Sequence, residues 1–151
     1  MIDEILKYVI PKTLELNKAY IVENGDINYS AIFCQSDEEY KRLIAEAQSI
    51  GNILKDTPTG PLFKLHKPIK TSAGMLKVLK IRHTDKTRPQ RGDADFTIED
   101  YEAFKKRYTS DSEHFSVISR ENFEMIELRD QRFSVLSYFS NIPITAQFGL
   151  E

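Results

Sequence analysis

The sequence is poor in the residues that make covalent or redox-active structure. Its 151 residues contain one cysteine, Cys34. A single cysteine excludes an internal disulfide and fits a reducing compartment. Because Cys34 lies in an apolar segment, we interpret it as a small core residue rather than a nucleophile. A glycine-rich phosphate loop, a G-x-S-x-G elbow and paired CxxC motifs are also missing, which removes the strongest sequence signals for several enzyme classes.

Long hydrophobic runs and an excess of positive charge are missing as well. No apolar segment approaches the roughly 20 residues of a membrane-spanning helix. With 21 basic and 23 acidic residues the net charge is −2, so no overall basic field is available to bind a phosphate backbone. The acidic start Met-Ile-Asp-Glu is not typical of a signal peptide. We therefore expect a cytoplasmic, single-domain protein with no membrane or nucleic-acid partner.

The chain begins with a helical pattern. Apolar side chains recur at helical spacing over residues 2–10, and Pro11 is expected to end or kink that helix. We interpret residues 1–26 as an N-terminal helical extension that packs on the main body.

Residues 27–83 combine strands with one helix. An apolar strand runs from Tyr29 to Cys34. Ser36 and Glu39 then form a capping box at the start of a helix. Gly51 stands where a helix C-cap is expected.

Three more strands are predicted in this first half. Two lie within residues 52–69, and a third runs from Leu76 to Arg82. In the third strand the alternation of side chains puts Lys80 and Arg82 on the same face. The polar stretch 84–90 is interpreted as the connection to the second half.

The pattern recurs over residues 91–151. Thr97 is the N-cap candidate of a second helix, which follows a short strand, Asp93–Phe96. Three further strands come after this helix: Phe115–Ser119, Phe123–Leu128 and Phe133–Phe139. A constant offset of 61 residues relates the two helices, as shown by the pairs Ser36 and Thr97, Tyr40 and Tyr101, and Leu43 and Phe104. The sequence therefore predicts two βαβββ modules in tandem.

This tandem arrangement resembles the vicinal-oxygen-chelate superfamily, which includes glyoxalases, bleomycin-resistance proteins and extradiol dioxygenases. The stretch LFKLHKPI, residues 62–69, is similar to a segment of the YecM-like branch. The resemblance implies an α+β fold in which the two modules form curved mixed sheets around a cavity.

The resemblance also implies where a metal would bind. Metal-dependent members hold a divalent ion with His, Gln and Glu side chains from the first and last strands of each module. The corresponding positions fall near four residues here: Tyr29, Lys80, Ala94 and Ser137. None is a good ligand at neutral pH, and Lys80 would bring a positive charge to the site. We therefore expect no metal and no other cofactor.

A register slip of one or two residues leaves an alternative open. It could bring Asp93 and Asp95 into the cavity, and Glu127 takes the place of the family's metal glutamate if Phe123–Leu128 is counted as the last strand. These three carboxylates are then the alternative ligands of a divalent metal ion. Two classes of function therefore remain. One is a metal-free module that binds a small molecule. The other is an enzyme of the superfamily type, a lyase, isomerase or dioxygenase, with a displaced metal or with acid–base groups such as Tyr29, Lys80 and Glu127.

The expected ligand is a small anionic or carboxylate-bearing molecule. Lys80 and Arg82 share a strand face, and an arginine can bind a carboxylate or phosphate through two hydrogen bonds. They belong to a basic cluster around the connection: Lys80, Arg82, Lys86, Arg88 and Arg91. The candidate ligand-binding residues are Tyr29, Lys64, His66, Lys80, Arg82, Glu127 and Ser137. The opposing interpretation is a structural network that pairs Lys80 and Arg82 with Asp93, Asp95 or Glu127. We allow for a homodimer.

Overall fold

The structure is a computed structural model that describes residues 1–150, over which it has four helices and eight strands. The helices are α1 (Ile2–Tyr20), α2 (Asp37–Ile50), α3 (Tyr101–Tyr108) and α4 (Ile144–Gln147). The strands are β1 (Ile27–Phe33), β2 (Gly51–Lys55), β3 (Leu62–Thr71), β4 (Gly74–Arg82), β5 (Gly92–Thr97), β6 (Phe115–Ser119), β7 (Glu124–Leu128) and β8 (Val135–Ser140).

All eight strands form one curved sheet in the order β2-β3-β4-β1-β5-β8-β7-β6. In each half the first strand pairs in parallel with the last, β1 with β4 and β5 with β8. The remaining neighbours within each half are antiparallel, and an antiparallel pair, β1 with β5, joins the two halves. The predicted α+β class and the tandem βαβββ order are therefore confirmed.

Helices α1, α2 and α3 cover one face of this sheet. Helix α1 packs on β5 and β8, and α2 packs on β2, β3 and β4. From α3, Phe104 lies with its ring centroid 4.7 Å from that of Phe139 on β8. The main hydrophobic core lies between these helices and the sheet. These three helices do not cover the opposite, concave face of the four central strands.

Helix α1 is a single helix, and Pro11 neither ends it nor separates two pieces. The buried stripe of this helix includes Leu6, Val9 and Ile10, whereas Pro11 faces solvent. A proline leaves the carbonyl four residues earlier without its helical partner. That carbonyl belongs to Lys7, an exposed residue, so water can take the place of the missing donor.

The cap of α2 follows the prediction, and the cap of α3 does not. The Ser36 side chain accepts a hydrogen bond from the Glu39 amide at 3.1 Å. At α3 the cap is Asp100, which accepts from the Ala103 amide at 3.2 Å. Thr97 instead remains in β5, where it pairs with Ser140 of β8. Strand pairing therefore overrides the local capping signal, and the 61-residue offset does not extend to the caps.

Gly51 begins β2 rather than closing α2 with a left-handed cap. Its backbone is extended, with φ −165°. A Cβ atom at this position would lie 2.5 Å from the carbonyl oxygen of Lys64 on β3. The glycine is therefore needed because the neighbouring strand approaches closely.

None of the helices within residues 1–150 has the length and apolar character required to cross a lipid bilayer.

Candidate functional site

The concave face encloses a cavity of about 460 Å³. Its floor consists of side chains from β1, β4, β5 and β8, which reach it because successive residues of a strand point to opposite faces. The walls come from residues 57–59, from the β6–β7 hairpin and from α4. A cavity of this size can hold a small organic molecule.

Three residues form a row across the floor. Ala31 of β1 pairs with Lys80 of β4 on one side and with Asp93 of β5 on the other. Because neighbouring strands lie about 4.8 Å apart, the backbones of Lys80 and Asp93 are separated by roughly 10 Å. The short side chain of Ala31 lines the cavity between them.

The charged lining of the cavity is mostly basic. Among the described residues, five basic side chains line it, against the single acidic one of Asp93: Lys55, Lys80, Arg82, Arg88 and Arg120. Within residues 1–150, the side chains of Lys55, Lys80 and Arg120 make no hydrogen bond or ion pair. Burial lowers the pKa of Lys80, although the Asp93 charge acts in the opposite direction. The cavity therefore contains cationic groups that lack a protein partner.

The other two basic residues have partners. Arg82 lies 3.7 Å from a carboxylate oxygen of Asp85, and its guanidinium carbon stands 4.9 Å from the centre of the Phe33 ring. Arg88 donates a hydrogen bond to Glu127 Oε2 at 3.3 Å.

The structural network proposed from the sequence is not formed by direct ion pairs. Over residues 1–150, no ion pair joins Lys80 or Arg82 to the three acidic residues named for that network, Asp93, Asp95 and Glu127. Lys80 and Arg82 therefore do not stabilise the cavity floor through direct ion pairs with those acidic residues.

Asp93 is a buried carboxyl group with an unsatisfied oxygen. It is 5% exposed, and its Oδ1 atom has no hydrogen-bond partner within the described residues. Burial and the charge of Asp95 raise its pKa to about 7, against the opposing effect of Lys80 and Arg82. A buried polar atom without a partner destabilises the folded state. Such an atom at the edge of a cavity therefore indicates a ligand or water that bonds to it.

Asp95 lies two residues further along the same face but is already bonded. Its Oδ1 accepts hydrogen bonds from Asn28 Nδ2 at 2.9 Å and from Ser140 Oγ at 2.8 Å. Burial raises its pKa to about 6, while these two hydrogen bonds lower it. Asn28 also accepts from the Ile144 amide at 3.4 Å, which connects this buried group to the start of α4.

Two tyrosines and a glutamate complete the polar floor. The Tyr138 hydroxyl donates to Glu127 Oε2 at 2.7 Å, and the same carboxylate lies 3.6 Å from Arg129. Tyr29 lines the cavity, and its hydroxyl makes no hydrogen bond within residues 1–150. Burial and the charges of Asp95 and Asp93 raise the pKa of Tyr29 well above 10, which keeps its hydroxyl protonated at neutral pH.

One side of the cavity is apolar. Phe33, Met125 and Leu136 belong to a second, smaller hydrophobic cluster on the concave face. The apolar side chains that line the cavity include Phe33, Ile118, Phe123, Met125, Ile144 and Phe148. The site thus combines a basic region with an apolar one.

The residues predicted from the sequence divide into two groups. Tyr29, Lys80 and Arg82 line the cavity together. Glu127 lies beside it and contacts the lining residues Arg88 and Tyr138.

Ser137, a candidate ligand-binding residue, and Ala94, expected at the position of a family metal ligand, both lie on the face of the sheet opposite the cavity. Ser137 is fully buried and donates a hydrogen bond to Asn17 Oδ1 of α1 at 2.6 Å. Ala94 pairs with Ser137 and belongs to the helix-side core. In the second half of the chain the predicted register was displaced by one residue, which turns a side chain to the opposite face of the sheet, whereas Tyr29 and Lys80 of the first half line the cavity as predicted. Asp93 and Asp95 face the concave side instead.

Lys64 and His66 do not line the cavity either. Both are exposed on β3, and His66 borders a different depression beside α2, together with Glu46 and Lys67. The pairing of β3 with β4 is irregular between Lys64 and Ile69, the stretch that contains His66.

Sequence reasoning missed Lys55 and Arg120 as cavity residues. Lys55 ends β2 near one edge of the sheet, and Arg120 follows β6 at the other edge. Neither has a local sequence signal, because only the curvature of the sheet brings the two edges to one cavity. Arg88 could have been found from the basic cluster around the connection.

The donor set on the four floor strands does not fit a divalent metal. Among residues 1–150, no group of three His, Cys, Asp or Glu side chains is arranged to hold a metal ion. Lys80 brings a positive charge to the floor, which opposes a cation. In the alternative set, Asp95 and Glu127 already accept hydrogen bonds, whereas a buried oxygen of Asp93 has no hydrogen-bond partner among the described residues. The absence of a resident metal stays a prediction.

Among solved structures, a structural-genomics protein described as "Protein EC4020" is similar over nearly the whole chain. The match has a TM-score of 0.71 and 17% sequence identity, and covers 97% of this chain and 88% of that one. The two chains share one fold. At this identity the match carries no information on the ligand or activity.

Two further solved structures are more distant. A glyoxalase/bleomycin resistance protein/dioxygenase superfamily member from Vibrio splendidus 12B01 has a TM-score of 0.47 and 8% identity over 74% of this chain and 94% of that chain. The 2,2',3-trihydroxybiphenyl 1,2-dioxygenase from Sphingomonas wittichii strain RW1 has a TM-score of 0.47 and 9% identity over 78% of this chain and 40% of that chain. No protein-family model and no curated protein matches the sequence. The YecM-like assignment stays a prediction.

Proposed function

We propose that this chain is a metal-free module that binds a small anionic, carboxylate-bearing molecule in the concave cavity. The observation that carries the proposal is the imbalance of charge on the lining: five basic side chains against one acidic side chain among the described residues. An anion that enters this cavity meets cationic groups under low-dielectric walls, which strengthen their attraction.

Lys80 is the central binding residue of this proposal. It lies on the floor, its pKa is lowered by burial, and no protein group within residues 1–150 pairs with it. A desolvated ammonium group without a counter-ion is costly in the empty protein. An anionic ligand supplies the missing charge, so part of the folding cost is recovered when the ligand binds.

Arg82 is the second anion-binding residue. Its guanidinium packs over the Phe33 ring and lies near Asp85 only at 3.7 Å. The planar guanidinium can donate two parallel hydrogen bonds to a carboxylate. Together with Lys80, it gives the cavity both a point charge and a group with directional donors.

The proposal is tested by identifying the small molecules that accompany the protein. Natively purified protein is denatured, and the released molecules are identified by mass spectrometry for three forms: the natural chain, the double variant Lys80→Ala with Arg82→Ala, and the control Lys77→Ala. Lys77 is an exposed lysine of the same strand that does not line the cavity. Binding of 3-phenylpropanoate, measured by calorimetry at low and high salt, provides a defined anion.

We expect the natural chain and the control to release the same acidic compound and to bind the probe more weakly at high salt. The double variant should fold normally and lose both properties. Equal retention of the compound by the double variant, or release of a neutral or cationic compound, would overturn the proposal.

A further inference from the structure

The Asp93 oxygen that lacks a hydrogen-bond partner narrows the class of ligand further than the basic lining of the cavity does. Oδ1 is buried, lacks a protein donor within the described residues and belongs to a side chain that lines the cavity. A simple carboxylate has no hydrogen to donate to it. When Asp93 is ionised, both of its oxygens can only accept, so a ligand that bonds directly to Oδ1 must carry an O–H or N–H group as well as its negative charge.

The position of Asp93 relative to Lys80 shows where that donor must be. The two residues flank Ala31 on the same face. Their charges are near enough to affect each other's pKa, yet they form no ion pair within residues 1–150. A ligand can occupy the space over Ala31, with its anionic group towards Lys80 and its donor towards Asp93. The anion and the donor must then lie close together in the ligand.

The surrounding charge favours a hydroxyl over an amine. An ammonium group beside Asp93 would also lie near Lys80 and Arg82, both of which act electrostatically on Asp93. Like charges repel, and Asp93, whose pKa is about 7, is only partly ionised at neutral pH, so its attraction offsets this repulsion only in part. A neutral hydroxyl can donate to Oδ1 without this penalty.

The apolar wall defines the rest of the ligand. Phe33, Phe123 and Met125 line the cavity on its apolar side. Aromatic and thioether side chains of this kind pack against aromatic or branched groups. The ligand should therefore have an apolar body beyond its polar end.

From these four features we infer that the cavity binds a hydroxy acid with an apolar, ring-sized body, its carboxylate bound by Lys80 and its hydroxyl donating to Asp93. This inference rests on the proposed anion-binding function and narrows its ligand class. Tyr29, whose hydroxyl is free of protein partners within residues 1–150, can make a further hydrogen bond to the polar end of the ligand.

The test is a matched series of three probes that share one phenyl ring and one carboxylate. The probes are 3-phenyllactate, 3-phenylpropanoate and phenylalanine, which differ only in having a hydroxyl, a hydrogen or an ammonium group beside the carboxylate. Calorimetry measures each dissociation constant on the natural chain, on Asp93→Ala and on the control Lys77→Ala. Circular dichroism verifies the fold of each variant.

We expect the natural chain and the control to bind 3-phenyllactate about tenfold more tightly than 3-phenylpropanoate, the difference expected for one hydrogen bond to a charged or buried group. Phenylalanine should bind more weakly than either acid. In Asp93→Ala the preference for the hydroxyl should disappear.

Three outcomes would overturn the inference. The first is equal binding of the two acids by the natural chain. The anion-binding proposal would then still stand if the double variant Lys80→Ala with Arg82→Ala binds both acids more weakly than the natural chain does. Tighter binding of phenylalanine would indicate an amino-acid site instead. Failure of all three probes to bind would exclude this ligand class, while the anion proposal would be decided by the co-purified compound. The probe series on the natural chain remains decisive even if Asp93→Ala does not fold.

Discussion

Lys80 and Asp93 lie on opposite sides of Ala31, on the same face of the sheet, without forming an ion pair within residues 1–150. In a filled protein core, opposite charges at this spacing would be expected to approach each other. Here a cavity lies between them. Within the described residues, neither the Lys80 ammonium nor Asp93 Oδ1 has a hydrogen-bond or ion-pair partner.

Replacing Lys80 by methionine should not destabilise the protein. Burial lowers the pKa of Lys80, so the charged form is less favourable in the folded chain than in the unfolded one. We expect Lys80→Met to raise the free energy of unfolding by about 1 kcal/mol at pH 7, measured by urea denaturation without added anion. Lys77→Met, on the same strand, should change it by less than about 0.5 kcal/mol. A loss of about 3 kcal/mol in Lys80→Met would instead indicate a structural ion pair.

Asp93 should make stability fall as pH rises. Its pKa is about 7 in the folded chain, against about 3.9 for an unperturbed aspartate. Between these values the folded chain keeps a proton that the unfolded chain has lost, so stability decreases with rising pH and levels off above pH 7. Between pH 4 and pH 8, the free energy of unfolding of the natural chain should fall by on the order of 3 kcal/mol more than that of Asp93→Asn.

Urea denaturation of both forms across this pH range checks the Asp93 prediction. Asp56→Asn, at an exposed position, serves as the control and should follow the natural chain. A constant difference between the natural chain and Asp93→Asn would show that Asp93 does not titrate in this range.

Anion binding should weaken over the upper part of the same pH range. Ionisation of Asp93 near pH 7 adds a negative charge beside the proposed ligand, which remains an anion throughout. We expect the dissociation constant of 3-phenylpropanoate to rise several-fold between pH 6 and pH 8, as measured by calorimetry. The dependence should vanish in Asp93→Asn, and its persistence there would assign it to another group.

Filling the space over Ala31 should block the site. Ala31 is 2% exposed and separates Lys80 from Asp93 on the cavity floor. A leucine at this position would extend into the cavity and crowd the small hydrophobic cluster to which Ala31 belongs. We therefore expect Ala31→Leu to lower the free energy of unfolding by about 1–3 kcal/mol and to abolish binding of the acidic probe. The exposed helical residue Ala45 provides the matched control, Ala45→Leu. Retained binding in Ala31→Leu would move the anion site away from this row.

The protein should contain no stoichiometric transition metal. Lys80 on the floor opposes a cation, and Asp95 and Glu127 already accept hydrogen bonds. Elemental analysis of protein purified without a histidine tag is expected to find less than one metal ion per ten chains, as a rough limit for adventitious ions. One ion per chain that is lost in Asp93→Ala would instead support the displaced metal site.

Local patterns in the sequence were sufficient for the order of elements and for part of the site. The capping box at Ser36 and Glu39 and the alternation along β4 depend on neighbours within a few residues. They correctly predicted α2 and the shared face of Lys80 and Arg82, both of which line the cavity. The tandem order of strands and helices, and hence the fold class, followed from the same short-range signals.

Tertiary structure alone decided which acidic residues face the cavity and which basic residues join them. A register error of one residue exchanges the two faces of a strand, so the sequence assigned Ser137 to the site and left Asp93 to an alternative. The register is fixed by pairing between strands far apart in the chain, such as Ala31 with Asp93. Arg120, near an edge of the sheet, reaches the cavity only because the sheet is curved. The register and the curvature depend on pairing and twist between strands that are far apart in the chain. Because their free energy is distributed over the whole sheet, a short stretch of sequence does not indicate them.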